Sequence, residues 1–229
     1  MRKKKNHHFE TKVIHAGQKS DPTTGAVMTP IVLASTFEQS SPGVHKGYDY
    51  SRSINPTREA FENCIADLEN GYKGYGFSSG VAAISACVEL LSPGDHIIAM
   101  DDLYGGSVRL FNEIKSLSQG IEISYVDMTD TNNIKNAIKA STKMIFVETP
   151  TNPLLKIADL SKIAKLAKKE KILTVCDNTF ASPFNQKPVN DGIDIVIHSA
   201  TKYLGGHSDL IAGAMAVSYT HLTLPTMEL

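Results

Sequence analysis

The 229-residue sequence contains no tryptophan, only three cysteines and almost no net charge. Cys64, Cys87 and Cys176 stand far apart, and their spacing matches neither a zinc site nor a disulfide framework. Buried thiols in a reducing compartment are therefore expected. No apolar run approaches the ~18 residues of a membrane-spanning helix, and no secretory signal opens the chain. These absences favour a cytoplasmic location and disfavour a membrane partner.

The charge pattern also disfavours a nucleic-acid partner. The formal net charge is −1 and the hydrophobic fraction is 41%, which is typical of a globular protein. Arg2–Lys5 is a basic run, but a short solvated N-terminus explains it better than a nucleic-acid arm, because chain termini are commonly disordered. The eight histidines show no ligand spacing, so no metal site is predicted.

The first 55 residues differ in pattern from the rest of the chain. They have weak periodicity and many turn formers, which predicts an extended arm with one short helix near Thr11–His15. Arms of this kind often wrap a partner subunit, so we expect residues 1–55 to contact a neighbour. Residues 56–217 are predicted to form one large domain.

Within residues 56–217, short apolar strands alternate with amphipathic helices. The strands are predicted at 75–77, 96–100, 122–126, 144–148, 172–176, 194–198 and 212–217, and the helices near 61–68, 81–91, 106–117, 131–139 and 159–170. Strands that are apolar without alternation are buried on both faces. The fold class is therefore α/β, with a mostly parallel seven-stranded sheet between helices.

Lys202 and Asp177 each follow the end of an apolar strand. Ligands bind at the carboxyl ends of parallel strands, so both side chains are expected at one edge of the sheet. A lysine and an acid placed in this way suit pyridoxal phosphate (PLP), since the lysine holds the cofactor as a Schiff base and the acid keeps its pyridine nitrogen protonated. Taken singly, an exposed lysine and a capping or solvated acid are the commoner explanations.

Three further features lie where strands end or beside glycines. Phe77–Val81 joins a strand to a helix, and its small residues expose backbone N–H groups to an anion. Tyr50 and Arg52 offer a phenol and a guanidinium, both good phosphate ligands. Tyr104 has a ring able to lie on a flat cofactor. Singly, these are an ordinary tight turn, a surface arginine and a locally packed tyrosine; together with the lysine and the acid they describe one phosphate-bearing aromatic cofactor.

At these residues the chain resembles the cysteine and methionine metabolism family of PLP enzymes. That family includes cystathionine gamma-synthase, the cystathionine lyases, methionine gamma-lyase and the homoserine sulfhydrylases. The most specific matching stretch is SATKYLGGHSD, Ser199–Asp209, and the resemblance runs from about His8 to Val217. It implies the large domain of a fold-type I PLP-dependent transferase, similar to aspartate aminotransferase.

The resemblance also implies roles for single residues. Lys202 would carry the cofactor and shuttle protons, Asp177 would pair with the pyridinium, and Tyr104 would stack on the ring and assist proton transfer. The other cofactor-binding residues implied around the phosphate are Ser79, Gly80, Val81, Ser199 and Thr201. Asn152 and Arg109 would lie near the substrate or the cofactor.

The resemblance further implies a shared active site. Tyr50 and Arg52 would bind the phosphate in a neighbouring subunit, so the active unit would be a homodimer or, as is typical of the family, a homotetramer. Its substrate would be a small amino acid, and no nucleic acid or membrane would take part.

The reaction implied is trans-sulfuration at the gamma (or beta) carbon of a sulfur-containing or activated homoserine amino acid. Cystathionine gamma-synthase and gamma-lyase are the nearest members, and Gly106 disfavours methionine gamma-lyase, which tends to carry a cysteine there. The alternatives are a cystathionine beta-lyase, an O-acetylhomoserine sulfhydrylase, another fold-type I enzyme such as an aminotransferase, and an impaired fragment that only dimerises.

The last residues depart from the family pattern. Members continue after the strand at 212–217 into a smaller C-terminal domain, which supplies the arginine that grips the substrate carboxylate. Residues 218–229, SYTHLTLPTMEL, do not resemble that continuation. We therefore expect a truncated chain that keeps the cofactor anchor, lacks the substrate clamp and is catalytically impaired.

Overall fold

The structure is a computed structural model, and it describes residues 7–219. The basic run at 2–5 lies outside the described residues, as does all but the beginning of the tail predicted at 218–229. The predicted limits of the arm, the large domain and the tail stay predictions. Within residues 7–219, no helix is long and apolar enough to cross a membrane.

The described residues alternate between helices and strands from residue 56 onward. The helices are α1 Phe9–His15, α2 Pro56–Leu68, α3 Gly80–Val88, α4 Gly105–Arg109, α5 Ser116–Gln119, α6 Thr131–Ala137, α7 Leu160–Glu170 and α8 Ser182–Asn185. A π-helical segment, Leu110–Lys115, joins α4 to α5, and a 3-10 helix, Pro188–Asp191, follows α8. The strands are β1 Gln39–Ser41, β2 Val44–His45, β3 Lys73–Phe77, β4 His96–Met100, β5 Glu122–Val126, β6 Thr142–Glu148, β7 Leu173–Asp177, β8 Ile195–Ser199 and β9 Gly213–Val217.

Seven of these strands form one sheet in the order β3-β9-β8-β7-β6-β4-β5. The pairs from β8 to β5 are all parallel, whereas β9 runs antiparallel to both of its neighbours. Strand β3 therefore points the same way as β8. The predicted mostly parallel seven-stranded sheet is confirmed, and the carboxyl ends of six strands meet at one edge, called here the carboxyl edge.

Helix α7 illustrates how the sequence covers this sheet. Leu160, Ile163, Ala164 and Ala167 form its buried face. Burying a large aliphatic side chain contributes about 1.5–3 kcal/mol, so this face fixes the helix against the sheet. The side chain of Asp159 accepts a hydrogen bond from the backbone N–H of Lys162 at 3.0 Å, and the left-handed Lys171 ends the helix.

His96 ties three strands together at the opposite, amino end of the sheet. Its ring is buried at the start of β4. Nδ1 lies 2.8 Å from the hydroxyl of Thr142 in β6, and Nε2 lies 2.9 Å from the hydroxyl of Ser124 in β5. Burial lowers the pKa of His96.

Some elements had no counterpart in the sequence prediction. The hairpin of β1 and β2 lies in the arm, and α8 and the 3-10 helix lie between β7 and β8. Each of these strands and helices has four residues or fewer, which is too short for a period of 2.0 or 3.6 to be recognised. The predicted helix near Thr11–His15 is confirmed as α1, which begins two residues earlier.

Candidate active site

Asp177 is the last residue of β7 and is only 8% exposed. Its Oδ1 accepts hydrogen bonds from the backbone N–H of Thr179 at 3.0 Å and from the hydroxyl of Thr179 at 2.6 Å. Burial raises the pKa of this carboxyl, while the two bonds from Thr179 and the charge of His198 oppose the rise. The Thr179 hydroxyl also accepts a hydrogen bond from the backbone N–H of Ser199 at 2.8 Å, so it links the ends of β7 and β8.

Glu148 lies beside Asp177, because the two residues are register partners at the ends of β6 and β7. It is 4% exposed, and burial, reinforced by the charge of Asp177, raises its pKa to about 8. Its Oε2 accepts the backbone N–H of Tyr104 at 3.0 Å, and its carboxyl also accepts the backbone N–H of Asn152. Glu148 therefore positions two loops of the carboxyl edge.

Neither Glu148 nor Thr179 was assigned a role from the sequence. Glu148 is the last residue of the strand predicted at 144–148, and Asp177 directly follows the strand predicted at 172–176. An acid at the end of an apolar strand is therefore the signal that both residues share. Thr179 carried no such signal, because its importance comes from bridging two strands that are adjacent only in the folded sheet.

The N-terminus of α3 forms a second feature of the edge. Ser79 caps the helix by accepting the backbone N–H of Ala82 at 3.1 Å. The first N–H groups of a helix have no partner within it, which leaves those of Gly80 and Val81 free to bind an anion.

Close packing places Ser199 beside this helix end. A Cβ built on Gly80 would lie 2.8 Å from the Cβ of Ser199, and one on Gly213 would lie 2.0 Å from the carbonyl oxygen of Ser79. Only glycine at these two positions lets the segments approach so closely. Ser199 therefore lies directly beside the first residue of α3.

Lys202 lies in the loop between β8 and β9, and its side chain is exposed. Its backbone N–H donates to the carbonyl of Ser199 at 3.1 Å, and its own carbonyl accepts from Gly206 at 2.8 Å. The Thr201 hydroxyl lies 3.1 Å from the N–H and 3.2 Å from the carbonyl of Ala212. In this geometry Thr201 closes the loop that carries the lysine.

Tyr104 precedes α4 and is 47% exposed. A Cβ built on Gly106 would lie 2.4 Å from Cε1 of the Tyr104 ring, so the ring occupies space that only glycine leaves free. Arg109 is exposed at the end of α4, and Asn152 is half-buried in the loop after β6.

Tyr50 and Arg52 contact each other rather than the residues described above. Both are exposed, and Cζ of Arg52 lies 5.1 Å from the centre of the Tyr50 ring. Arg58 in α2 donates to the carbonyls of Ser51 at 3.1 Å and Ser53 at 2.7 Å, which fixes their loop. Within residues 7–219, no hydrogen bond joins Tyr50 or Arg52 to the carboxyl edge.

The carboxyl edge therefore gathers a buried acid pair, a helix N-terminus, a half-exposed tyrosine and an exposed lysine. Across the part of the chain that the structure describes, no group of three or more histidine, cysteine or acidic side chains is arranged to hold a metal ion. The arrangement suits a ligand that is cationic at one end and anionic at the other.

Comparisons with known proteins match nearly the whole chain to one family of enzymes. A family model described as Cys/Met metabolism PLP-dependent enzyme matches residues 10–227. A cystathionine beta-lyase of Coxiella burnetii is 59% identical over 213 residues, which are 93% of this chain and 55% of that protein. A cystathionine gamma-lyase of Bacillus subtilis (strain 168) is 48% identical over 93% of this chain and 56% of its own length.

The solved structures agree as well. Cystathionine gamma-lyase from Lactobacillus plantarum, complexed with L-serine, has a TM-score of 0.90 and 49% identity, covering 93% of this chain and 55% of that one. The chain spans about half the length of the curated relatives it matches.

Proposed function

We propose a function from one premise: this chain belongs to the family of Cys/Met metabolism PLP-dependent enzymes. The family, fold class and cofactor predicted from the sequence are confirmed by the match and by the related structures. We propose that the protein is a trans-sulfuration enzyme that acts on the carbon–sulfur bond of a cystathionine-type amino acid. The observation that carries this proposal is the placement of the buried Asp177 and the open N-terminus of α3 at the same sheet edge.

The residues of the carboxyl edge fit pyridoxal phosphate. The cofactor has a basic ring nitrogen and a phosphate, and the edge offers a buried acid and a group of free N–H donors. We assign the ring nitrogen to Asp177 and the flat ring to Tyr104. The phosphate is assigned to the residues around the start of α3 and the following loop, namely Ser79, Gly80, Val81, Ser199 and Thr201.

When bound, pyridoxal phosphate draws electrons from the α carbon of an amino acid attached to it. Lys202 would supply the amine that holds the cofactor and would carry the proton of that carbon. Asp177 would pair with the ring nitrogen, and Tyr104 would assist the proton transfers. Asn152 and Arg109 are proposed to orient the substrate.

Two positions of cleavage are candidates. The run FEQSSPG at 37–43 and the YGG loop at 104–106 resemble those of cystathionine gamma-synthase and gamma-lyase, which favours the gamma carbon. The 59% identity to a cystathionine beta-lyase favours the beta carbon. Cleavage on the gamma side of cystathionine releases cysteine, and cleavage on the beta side releases homocysteine, so the thiol product separates the candidates.

The test begins with cofactor binding, because the chain spans about half the length of its relatives. The purified chain mixed with pyridoxal phosphate is expected to develop the visible absorbance of a lysine-bound cofactor, and Lys202→Ala is expected to lose it. Cystathionine is then added and the thiol product identified. No visible band with the unaltered chain would overturn the cofactor assignment.

A shared active site is the second part of the proposal. Tyr50 and Arg52 of one subunit are proposed to reach the phosphate of a neighbour in a homodimer or homotetramer. The arm before them supports this, because Val27, Met28, Ile31 and Leu33 are each 71–91% exposed and would be covered by a partner. The cytoplasmic location, and the absence of nucleic-acid and membrane partners, stay predictions.

A further inference from the structure

The arm loop, residues 50–53, presents two side chains that bind no polar group of their own chain. Tyr50 and Arg52 are exposed and contact each other, and within residues 7–219 no hydrogen bond or ion pair joins either side chain to another residue. The backbone of the same loop is held firmly, and the N–H of Ser51 donates to the carbonyl of Ser35 at 2.8 Å. The loop therefore has a fixed shape, although its two outward side chains have no polar partner in the chain.

Arg58, near the start of α2, reaches back to this loop. Its Nη1 donates to the carbonyl of Ser51 at 3.1 Å, and its Nη2 donates to the carbonyl of Ser53 at 2.7 Å. Nη2 also lies 3.5 Å from the carbonyl oxygen of Arg52. A guanidinium carries its donors in a rigid plane, so one side chain holds consecutive carbonyls in a single geometry. Arg58 thus fixes the backbone from which the Arg52 side chain projects.

Glu62 holds Arg58 in this position. Nε of Arg58 donates to Oε1 of Glu62 at 3.1 Å, one turn further along α2. The Glu62 side chain is only 10% exposed, and the same Oε1 accepts the backbone N–H of Gly76 in β3 at 3.0 Å. Strand β3 is an edge strand, so an N–H that does not face β9 needs another acceptor. A chain of hydrogen bonds therefore runs from β3 through Glu62 and Arg58 to the arm loop.

Close packing makes α2 and β3 one rigid unit. A Cβ built on Gly74 of β3 would lie 2.0 Å from the carbonyl oxygen of Glu62, so only glycine lets the strand approach the helix this closely. Strand β3 ends at Phe77, two residues before Ser79. The arm loop and the proposed phosphate residues of the same subunit are thus built on one unit, which sets the direction in which the loop points.

Stabilisation of α2 explains only one of these contacts. An acid and a base one turn apart on a helix stabilise it slightly, and lysine serves that purpose as well as arginine. The bonds from Arg58 to the loop carbonyls add nothing to the helix. They require the arginine fork, and they act on the arm loop.

We propose that Arg58, held by Glu62, preforms the arm loop so that Tyr50 and Arg52 are presented to the phosphate site of the neighbouring subunit. Arg58 and Glu62 are positioning residues. Preforming the loop removes the cost of ordering it when the subunits meet. A change at Arg58 is therefore felt in the cofactor site of the other subunit. This inference rests on the proposed function, which assigns Tyr50 and Arg52 to a neighbour's phosphate.

The test compares two kinds of mixed dimer. In each, one subunit carries Lys202→Ala, so only one lysine-bound cofactor is counted per dimer. In the first kind, Arg58→Gln lies in the subunit that keeps Lys202; in the second, it lies in the Lys202→Ala subunit. Subunits are exchanged by partial unfolding and refolding, and the mixed dimers are isolated through two affinity tags. The Kd for pyridoxal phosphate is then measured from the visible absorbance.

Only the second kind of dimer is expected to bind the cofactor weakly. Its single lysine site receives Arg52 from a loop that Arg58 no longer holds, and loss of that charge-assisted bond should raise the Kd about tenfold. The first kind should match a dimer without Arg58→Gln. Both kinds contain the same substitutions, so a general loss of stability cannot separate them. Equal Kd values, or a rise in the first kind alone, would overturn the inference.

Two further variants act as controls. Lys162→Gln removes a cation that pairs with Asp159 on α7 at 3.1 Å and does not touch the arm loop, so it should change neither Kd. Arg58→Lys keeps the charge beside Glu62 but lacks the fork, and it should behave like Arg58→Gln. A normal Kd with lysine would show that the fork is not needed and would contradict the inference.

Arg52→Ala in the same two arrangements separates the inference from the proposed function. If the unaltered chain develops no visible band, the proposed function fails. If Arg52→Ala changes the Kd in neither arrangement, the shared site fails and the inference falls with it. If Arg52→Ala acts only from the Lys202→Ala subunit while Arg58→Gln has no effect, the inference alone fails.

Hydrogen exchange decides the case even where Arg58→Gln does not fold. The N–H groups of Ser53 and Ile54 both donate to the carbonyl of Tyr50 at 3.1 Å. In the unaltered chain without cofactor, a preformed loop should make both amides exchange slowly, and Arg58→Gln should speed their exchange. Exchange at the rate of an unprotected amide in the unaltered chain would mean that the loop is not preformed, and the inference would be wrong.

Discussion

The two glycines that begin α4, Gly105 and Gly106, differ in the space that each has for a side chain. Gly106→Ala would place a Cβ 2.4 Å from the Tyr104 ring, whereas a Cβ on Gly105 meets nothing within 4 Å. We expect Gly106→Ala to displace the ring and to change the circular dichroism of the bound cofactor, with weaker cofactor binding. Gly105→Ala is the control and should leave both unchanged. The same spectrum in both variants would mean that the ring of Tyr104 does not touch the cofactor.

The buried acid Glu148 predicts a pH dependence of stability. Its pKa rises from 4.5 to about 8 on folding, so the folded state binds more protons than the unfolded state between these values. Stability from this group is full below pH 4.5 and is lost as the pH rises through about 8. Glu148→Gln keeps an oxygen that can accept the backbone N–H of Tyr104. In this variant the free energy of unfolding should fall less steeply as the pH rises.

Urea unfolding of Glu148→Gln and the unaltered chain across this pH range provides the measurement. Glu170, an exposed acid at the end of α7, supplies the control as Glu170→Gln. A slope as steep in Glu148→Gln as in the unaltered chain would contradict the assignment.

At the scale of single elements, the cap of α7 is the clearest target. Asp159 is exposed and accepts the N–H of Lys162, so Asp159→Ala removes a cap without disturbing the core. We expect a loss of about 1 kcal/mol in the free energy of unfolding, measured by urea titration. Glu170→Ala, at the other end of the same helix, should show no comparable loss. Equal losses would show that the Asp159 side chain does not stabilise the helix.

The elements also show how far sequence reasoning reaches. Strands such as β4 and β5 were predicted to the residue, because an apolar run between turn formers marks its own ends. The buried hydrogen bond between His198 and Glu69 could not be predicted from the sequence, because the two residues are 129 positions apart and neither lies in a motif. The same holds for Thr179: the residue type was visible, but the neighbour that it contacts is set by strand order.

At the scale of the whole molecule, the proposed shared site predicts complementation between two inactive variants. Arg52→Ala and Lys202→Ala are each expected to impair cofactor binding. In a mixed dimer, the subunit that keeps Lys202 receives Arg52 from its partner, so one intact site returns. Mixing the two purified variants after partial unfolding and refolding should restore the visible absorbance of lysine-bound cofactor to about half in the mixed dimers, which form about half of a random mixture.

The control mixes Lys202→Ala with Lys202→Ala, which leaves no lysine to restore. Absorbance that does not exceed the mean of the separate variants would contradict an arm exchanged between subunits. Each subunit would then bind the cofactor with its own residues alone.

The insertion of β9 between β3 and β8 has a consequence for synthesis on the ribosome. Tyr75 of β3 pairs with Met215 of β9, and Ile197 of β8 pairs with the same residue. Strand β3 therefore joins the sheet only after β9 has left the exit tunnel, although β3 is made first. Until then Ser79, which precedes α3, lacks its packing partner Gly213. The nascent chain thus completes the proposed phosphate site late, and a cofactor added during translation can bind there only once β9 has emerged.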